Sequence, residues 1–259
     1  MKTGAFGNPR TLLKIFSLLA LGVIMSTAHA GLIETIERVK PSTVVIGSYK
    51  ISGSPQFAMR GTGFVVGDGN LIATNDHVTS EIADAELVVR VGAGPAPGES
   101  RLRRARVVAT SKAHDLAVLR IEGAPLPAMK LGNSDTVREG QTAAFTGFPI
   151  GGALGFSPVT HRATVSSITP LALPAGNSNQ LNEKFIQHIK SGTYDIFQLD
   201  ATAYPGNSGS PLFDVDTGEV IGIINMVFIK GRREAALSQP SGITYAIPSI
   251  HLKNLLSQR

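Results

Sequence analysis

The chain of 259 residues contains no cysteine. Disulfides, thiolate metal sites and a cysteine nucleophile are all excluded, so the core alone must hold the fold. Aromatic residues make up only 6%. None is interleaved with the one basic cluster, Arg101, Arg103, Arg104 and Arg106, where a nucleic-acid surface would want them. The cluster instead alternates with Leu102 and Ala105, as in a strand with one solvated face, and no nucleic-acid partner is expected. Long apolar runs are scarce too. The longest, Ile15–Met25, is too short to span a bilayer comfortably. Extended segments of 3.6-residue period are nearly absent, which argues against a helical fold.

The apolar run has a setting. Lys2, Arg10 and Lys14 precede it, and the sequence STAHA follows, with Ala28 and Ala30 in an A-x-A arrangement. This predicts a secretory signal peptide over residues 1–30, an exported product, and no stable membrane span once it is removed; a retained N-terminal anchor is the alternative. The leader contains three basic and no acidic residues, so the remainder carries 21 Lys+Arg against 19 Asp+Glu. The formal charge of +5 therefore overstates any basic surface.

What the chain does have is many short runs rich in β-branched residues, separated by Gly, Pro, Asn and Asp. Eleven read as strands: 43–47, 61–67, 70–74, 86–91, 101–109, 116–121, 141–146, 160–168, 194–200, 220–228 and 243–247. Turns such as GDGN (67–70) and DVDTG (214–218) divide them. Strands at this spacing predict an all-β sandwich or barrel. Two helices are expected, 32–39, ended by Pro41, and 248–256, opened by Pro248. The GAPLP stretch, 123–127, marks a boundary between two β units: an N-terminal one over 31–124 and a C-terminal one over 125–259.

The stretch Pro205–Pro211, PGNSGSP, places Ser208 between two glycines, where the chain must be a tight loop between strands. Glycines allow backbone N–H groups to converge beside a serine hydroxyl, the arrangement acyl transfer needs. The same residues also make ordinary turns. A serine nucleophile requires a base and the base an orienting carboxylate. His77, after the apolar run LIATND, and Asp115, opening DLAVLRI, are the candidates; a surface histidine and a turn-capping aspartate are the plainer readings. The order His77, Asp115, Ser208 differs from that of subtilisin and of α/β-hydrolases.

Four blocks carry a family resemblance: GTGFVVGDGNLIATNDHV (61–78), HDLAVLRI (114–121), LGNSDTVREGQ (131–141) and FQLDATAYPGNSGSPLFDVDTGEVIGI (197–223), with SGITYAIPSIHL (241–252) adding to them. The chain resembles trypsin-like serine peptidases of the HtrA/Deg group. The resemblance implies two six-stranded antiparallel β-barrels of chymotrypsin type, with the active site in the cleft between them. It implies catalysis by His77, Asp115 and Ser208 and an oxyanion hole on the backbone of Gly206, Asn207 and Ser208. It places Thr202, Ala203, Tyr204 and Asn225 against substrate, which would add as a strand near Asn225–Phe228. None of these side chains is charged, so small or medium aliphatic P1 residues are expected. Polypeptides are the expected partners, and no metal or cofactor is required. A non-cleaving, chaperone-like peptide binder on the same fold is the competing reading, and an esterase a lesser one.

Departures from the family pattern are visible. No PDZ domain is expected after the second barrel. Ser210 stands where a glycine is usual, and residues 170–193 read as a polar insertion in a region where loops can gate the site. The aromatic-bearing segment that builds trimers in some relatives is not apparent in GLIETIERVKPS (31–42).

Overall fold

Strand β1, Thr43–Tyr49, opens with four β-branched residues and is buried over its first five positions. Such a run is stable only with neighbours on both edges and cover on both faces, and the topology supplies these. The computed structural model describes residues 31–80, 85–92, 101–150, 155–171, 194–226 and 242–258. The expected signal peptide and residues 172–193 of the expected insertion lie outside them. Strands β2 (Phe57–Val66), β3 (Leu71–Thr74), β4 (Glu86–Arg90), β5 (Leu102–Ser111) and β6 (Leu116–Ile121) close with β1 into a barrel in the order β1-β2-β3-β6-β5-β4. Strands β7 (Thr142–Gly147), β8 (Val159–Pro170), β9 (Asp195–Asp200), β10 (Pro211–Asp214), β11 (Val220–Asn225) and β12 (Ile243–Pro248) close a second, ordered β10-β11-β12-β9-β8-β7. The strand pairs of both are antiparallel. The all-β, two-barrel expectation therefore holds.

One strand goes beyond the expected eleven. β10 is only four residues long and starts on a proline directly after the glycine loop, so its signal merges with turn chemistry. Its pairing with both β7 and β11 completes the second barrel. Helix α1 spans Leu32–Val39 and Pro41 sits in the 3-10 turn that follows. One helical turn, α2 (Asp76–Thr79), was not expected. Helix α3 covers Ser249–Ser257 with Pro248 at its N-cap. None of the described helices is long and apolar enough to cross a membrane.

Successive residues of a strand point to opposite faces, and here both faces are often covered. Val65, Ile72, Val89 and Leu119 fill the first barrel. Phe145, Phe197, Leu199 and Ile224 fill the second. Between them lies a third apolar layer, made by Phe64, Val66, Leu116 and Val118 of the first barrel and Phe213, Val220, Ile223 and Ile247 of the second, with Val39 of α1 and Leu252 of α3. Strand β11 is buried at all six positions because it faces both its own barrel and this layer. Each such fully buried side chain contributes about 1.5–3 kcal/mol. The layer fixes how the barrels meet.

A ring stack reinforces the same junction. His114 of the first barrel lies on His251 of α3 with centroids 4.0 Å apart, and Tyr194 meets both rings at 4.7 and 4.9 Å. Burial, then the charge of His114, pushes His251 from 6.5 down to about 4, with Asp135 opposing. A histidine depressed in the folded state binds its proton more readily when unfolded. The stability it allows is complete above about pH 6.5 and falls as pH drops toward 4. Chemical denaturation across that window should show the wild type losing stability more steeply than a His251→Phe variant, which keeps the stack but cannot titrate.

Candidate active site

His77 lies in the single turn α2, immediately after β3. The turn is held at both ends. Asn75 Nδ2 and the Asp76 N–H each donate to the Asp115 carbonyl at 3.1 Å. The Arg60 guanidinium donates to the carbonyls of Val78 (3.2 Å) and Ser80 (2.7 Å). Asp115 carries φ +49°, a left-handed conformation that non-glycine residues seldom adopt. It sits at the mouth of β6, and that conformation turns its carboxylate back onto α2. One carboxylate oxygen accepts the His77 backbone N–H at 2.9 Å, and the other faces His77 Nδ1 at 2.6 Å. With its Nδ1 proton directed at a carboxylate, the neutral ring keeps Nε2 as an acceptor. The Asp76 carboxyl nearby is held above the ordinary range by burial and by the Asp115 charge.

Ser208 lies in the loop joining β9 to β10, whose backbone is closely tied. The Asn207 N–H donates to Tyr204 O, Gly209 to Ile224 O, and Ser210 to Asn207 O, all at 2.9–3.0 Å. The N–H groups of Gly206 and Ser208 have no partner among the described residues. Gly206 has φ +103°, so the backbone turns where a side chain would be strained. No hydrogen bond of 3.5 Å or shorter joins Ser208 Oγ to His77 among the described residues; such bonds often tighten only when substrate is present. Ser210, in the place of the usual glycine, is fully buried with its N–H and carbonyl both used. Its hydroxyl has no partner among the described residues.

Gly209 cannot be replaced cheaply. Its φ is +85°, and a Cβ there would lie 2.1 Å from the Thr62 carbonyl oxygen and 2.4 Å from Thr74 Oγ1. Strain and overlap together set an expected cost of about 2–4 kcal/mol for Gly209→Ala. A thermal melt run alongside an active-site labelling assay should show both stability and labelling fall.

The remaining expected residues are distributed differently. Ala203 is buried and packs in the interior of the second barrel with Phe145 and Leu199. Thr202 and Tyr204 are partly exposed. Asn225, expected against substrate, is the last residue of β11. Its side chain is fully buried and Nδ2 donates to Asp115 Oδ2 at 2.8 Å, across the barrel junction. β11 ends on this residue, and its side chain meets the Asp115 carboxylate of the other barrel there. Nothing local to the sequence signals this contact, which spans 110 positions. Residues 227 and 228 of the expected substrate edge lie outside the described part of the chain.

The sequence profile of the trypsin-like peptidase domain matches residues 61–223. A probable periplasmic serine endoprotease, DegP-like, from Pseudomonas fulva is 32% identical over 189 residues, 73% of this chain and 32% of that protein. The mitochondrial serine protease HTRA2 of Drosophila pseudoobscura pseudoobscura is 34% identical over 207 residues, 80% of this chain and 40% of that one. The chain thus spans only about a third of the length of the curated relatives it matches. Among solved structures, an HtrA-type protease, AlgW, with a decapeptide superposes with a TM-score of 0.61 at 26% identity, covering 88% of this chain and 67% of that one.

Proposed function

The chain belongs to the trypsin-like peptidase family, and from that premise we propose that it is an exported serine endopeptidase that cleaves extended or unfolded polypeptides through an acyl-enzyme. Ser208 Oγ attacks the scissile carbonyl while His77 Nε2 takes its proton. The tetrahedral oxyanion is received by the N–H groups of Gly206 and Ser208. His77 then returns the proton to the leaving amine, and water releases the acyl group by the same route. Asp115 holds the imidazole in the required tautomer and stabilises its charged form. A single oxyanion donor is worth about 2.7–4 kcal/mol in the transition state.

The observation that carries this reading is the division of labour in the Ser208 loop. The N–H groups of Asn207, Gly209 and Ser210 are committed within the loop and to β11, whereas those of Gly206 and Ser208 have no partner among the described residues. The two uncommitted donors belong to the nucleophile and to the residue two before it. Export and polypeptide substrates are supported by the periplasmic naming of DegP-like relatives and by the peptides accompanying AlgW.

The test is labelling and digestion in parallel. The purified protein is treated with a fluorophosphonate probe, and the modified residue is mapped by mass spectrometry. A second sample is incubated with a permanently unfolded polypeptide. Label on Ser208 together with internal cleavage is the expected result. Retention of the polypeptide without label or cleavage would transfer the assignment to a peptide-binding module.

A further inference from the structure

Thr62, in the middle of β2, is fully buried and belongs to no part of the triad. Its backbone N–H donates to the Ser208 carbonyl at 2.9 Å. Its hydroxyl donates to the Gly206 carbonyl at 2.7 Å and accepts the Phe148 N–H at 3.1 Å. Its own carbonyl accepts Thr74 Oγ1 at 2.7 Å, at the end of the strand that leads into His77. One residue of the first barrel therefore touches the strand before the candidate base, the loop of the candidate nucleophile, and the end of β7.

The pattern on the loop is selective. The two residues whose N–H groups are uncommitted, Gly206 and Ser208, are the two whose carbonyls Thr62 holds. A peptide plane can rotate with little penalty at a glycine, because no Cβ opposes it. The Gly206 N–H shares its peptide plane with Pro205 O, which accepts the Ile150 N–H at 2.7 Å. The Thr62 hydroxyl anchors the second plane at this glycine, that of the Gly206 carbonyl, and with both planes held the φ and ψ between them are restrained. The direction of the Thr62 proton is also set. A hydroxyl has one hydrogen to give, and the Phe148 N–H occupies the acceptor side, which leaves Gly206 O as the acceptor for that hydrogen. The β-branched side chain adds a stiff χ1 that serine lacks.

We propose that Thr62 is a positioning residue for the reaction, its hydroxyl keeping the oxyanion-binding N–H of Gly206 aimed at the cleft. The inference rests on the reading of Ser208 as nucleophile and adds to it a device located in the other barrel. Thr62 touches neither substrate nor the reacting atoms. Its loss acts on the stabilisation of the transition state rather than on the binding of the ground state.

The experiment compares Thr62→Val, which keeps shape and loses the hydroxyl, with Thr62→Ser, which keeps the hydroxyl. Each is assayed beside the wild type for kcat and KM on a peptide ester, for the rate of fluorophosphonate labelling, and for thermal melting. The expected result is a kcat and a labelling rate about 10²-fold lower for Thr62→Val with KM within threefold, and a Thr62→Ser variant within about fivefold of the wild type. Thr62→Val retaining wild-type kcat overturns the proposal. So does equal loss in a well-folded Thr62→Ser variant, because the hydroxyl would then be irrelevant. Should Thr62→Val not fold, Thr62→Ala removes the same hydroxyl without its bulk; failure of both to fold beside a folded, active Thr62→Ser assigns Thr62 to the fold alone and overturns positioning. A wild type that neither labels nor cleaves refutes the serine-peptidase reading instead, a result separable from all of these.

Discussion

Replacing Ser208 by alanine is expected to lower kcat for polypeptide cleavage on the order of 10⁶-fold, because the members of such a constellation act as a unit and no other group can accept the acyl chain. The residual rate over water should come from the uncommitted N–H pair alone. Stability should not follow activity. Ser208 is 6% exposed, its backbone carbonyl remains bound to the Thr62 N–H, and the loss of one hydroxyl leaves no buried group stranded. A melting temperature within a degree or two of the wild type, together with lost cleavage, is the expected pairing. Cleavage persisting near the wild-type rate would exclude Ser208 as nucleophile.

Asp115→Asn should be nearly as damaging to rate and should also cost stability. The two carboxylate oxygens receive three donors: the His77 N–H, His77 Nδ1 and Asn225 Nδ2. An amide offers one acceptor and one donor in their place. With the amide nitrogen toward Nδ1, the ring must carry its proton on Nε2, the tautomer that cannot accept from serine, and the Asn225 amide faces another donor. With the amide reversed, the His77 N–H loses its acceptor. A drop in kcat of about 10⁴-fold is expected from the tautomer change. An unsatisfied buried donor adds about 1–3 kcal/mol of destabilisation. Measured kcat together with chemical denaturation separates the two effects. A variant with unimpaired kcat would show that Asp115 does not orient the base.

Much of the barrel architecture was legible because its signals are local. Runs such as LAVLRI and VIGIIN are β-branched, short and bounded by Gly or Asp, and their strands lie within a few residues of where that pattern puts them. Family likeness supplied the closure of the barrels, which no single run specifies. β10 escaped because proline and glycine spoke for a loop, whereas pairing on both edges made four residues a strand. The turn carrying His77 became helical because Arg60 and the Asp115 carbonyl hold its two ends, contacts made across the barrel rather than along the chain. Asn225 and Thr62 were illegible for the same reason. Each acts on residues more than a hundred positions away, and a buried asparagine or threonine in a strand looks like any other polar residue until the fold is drawn.

The apolar layer between the barrels bears on when the candidate site comes into being. Phe64 and Leu116 share one buried cluster with Phe213 and Ile223, and those come from the distal half of the chain. During synthesis the half bearing His77 and Asp115 exists first, lacking Ser208 and lacking the Asn225 amide on its carboxylate. The half bearing Ser208 has no Thr62 of its own to restrain the loop. On the proposed reading, neither part holds the whole candidate triad. The candidate site is thus, on that reading, a property of the completed seam, assembled only when the two barrels have met.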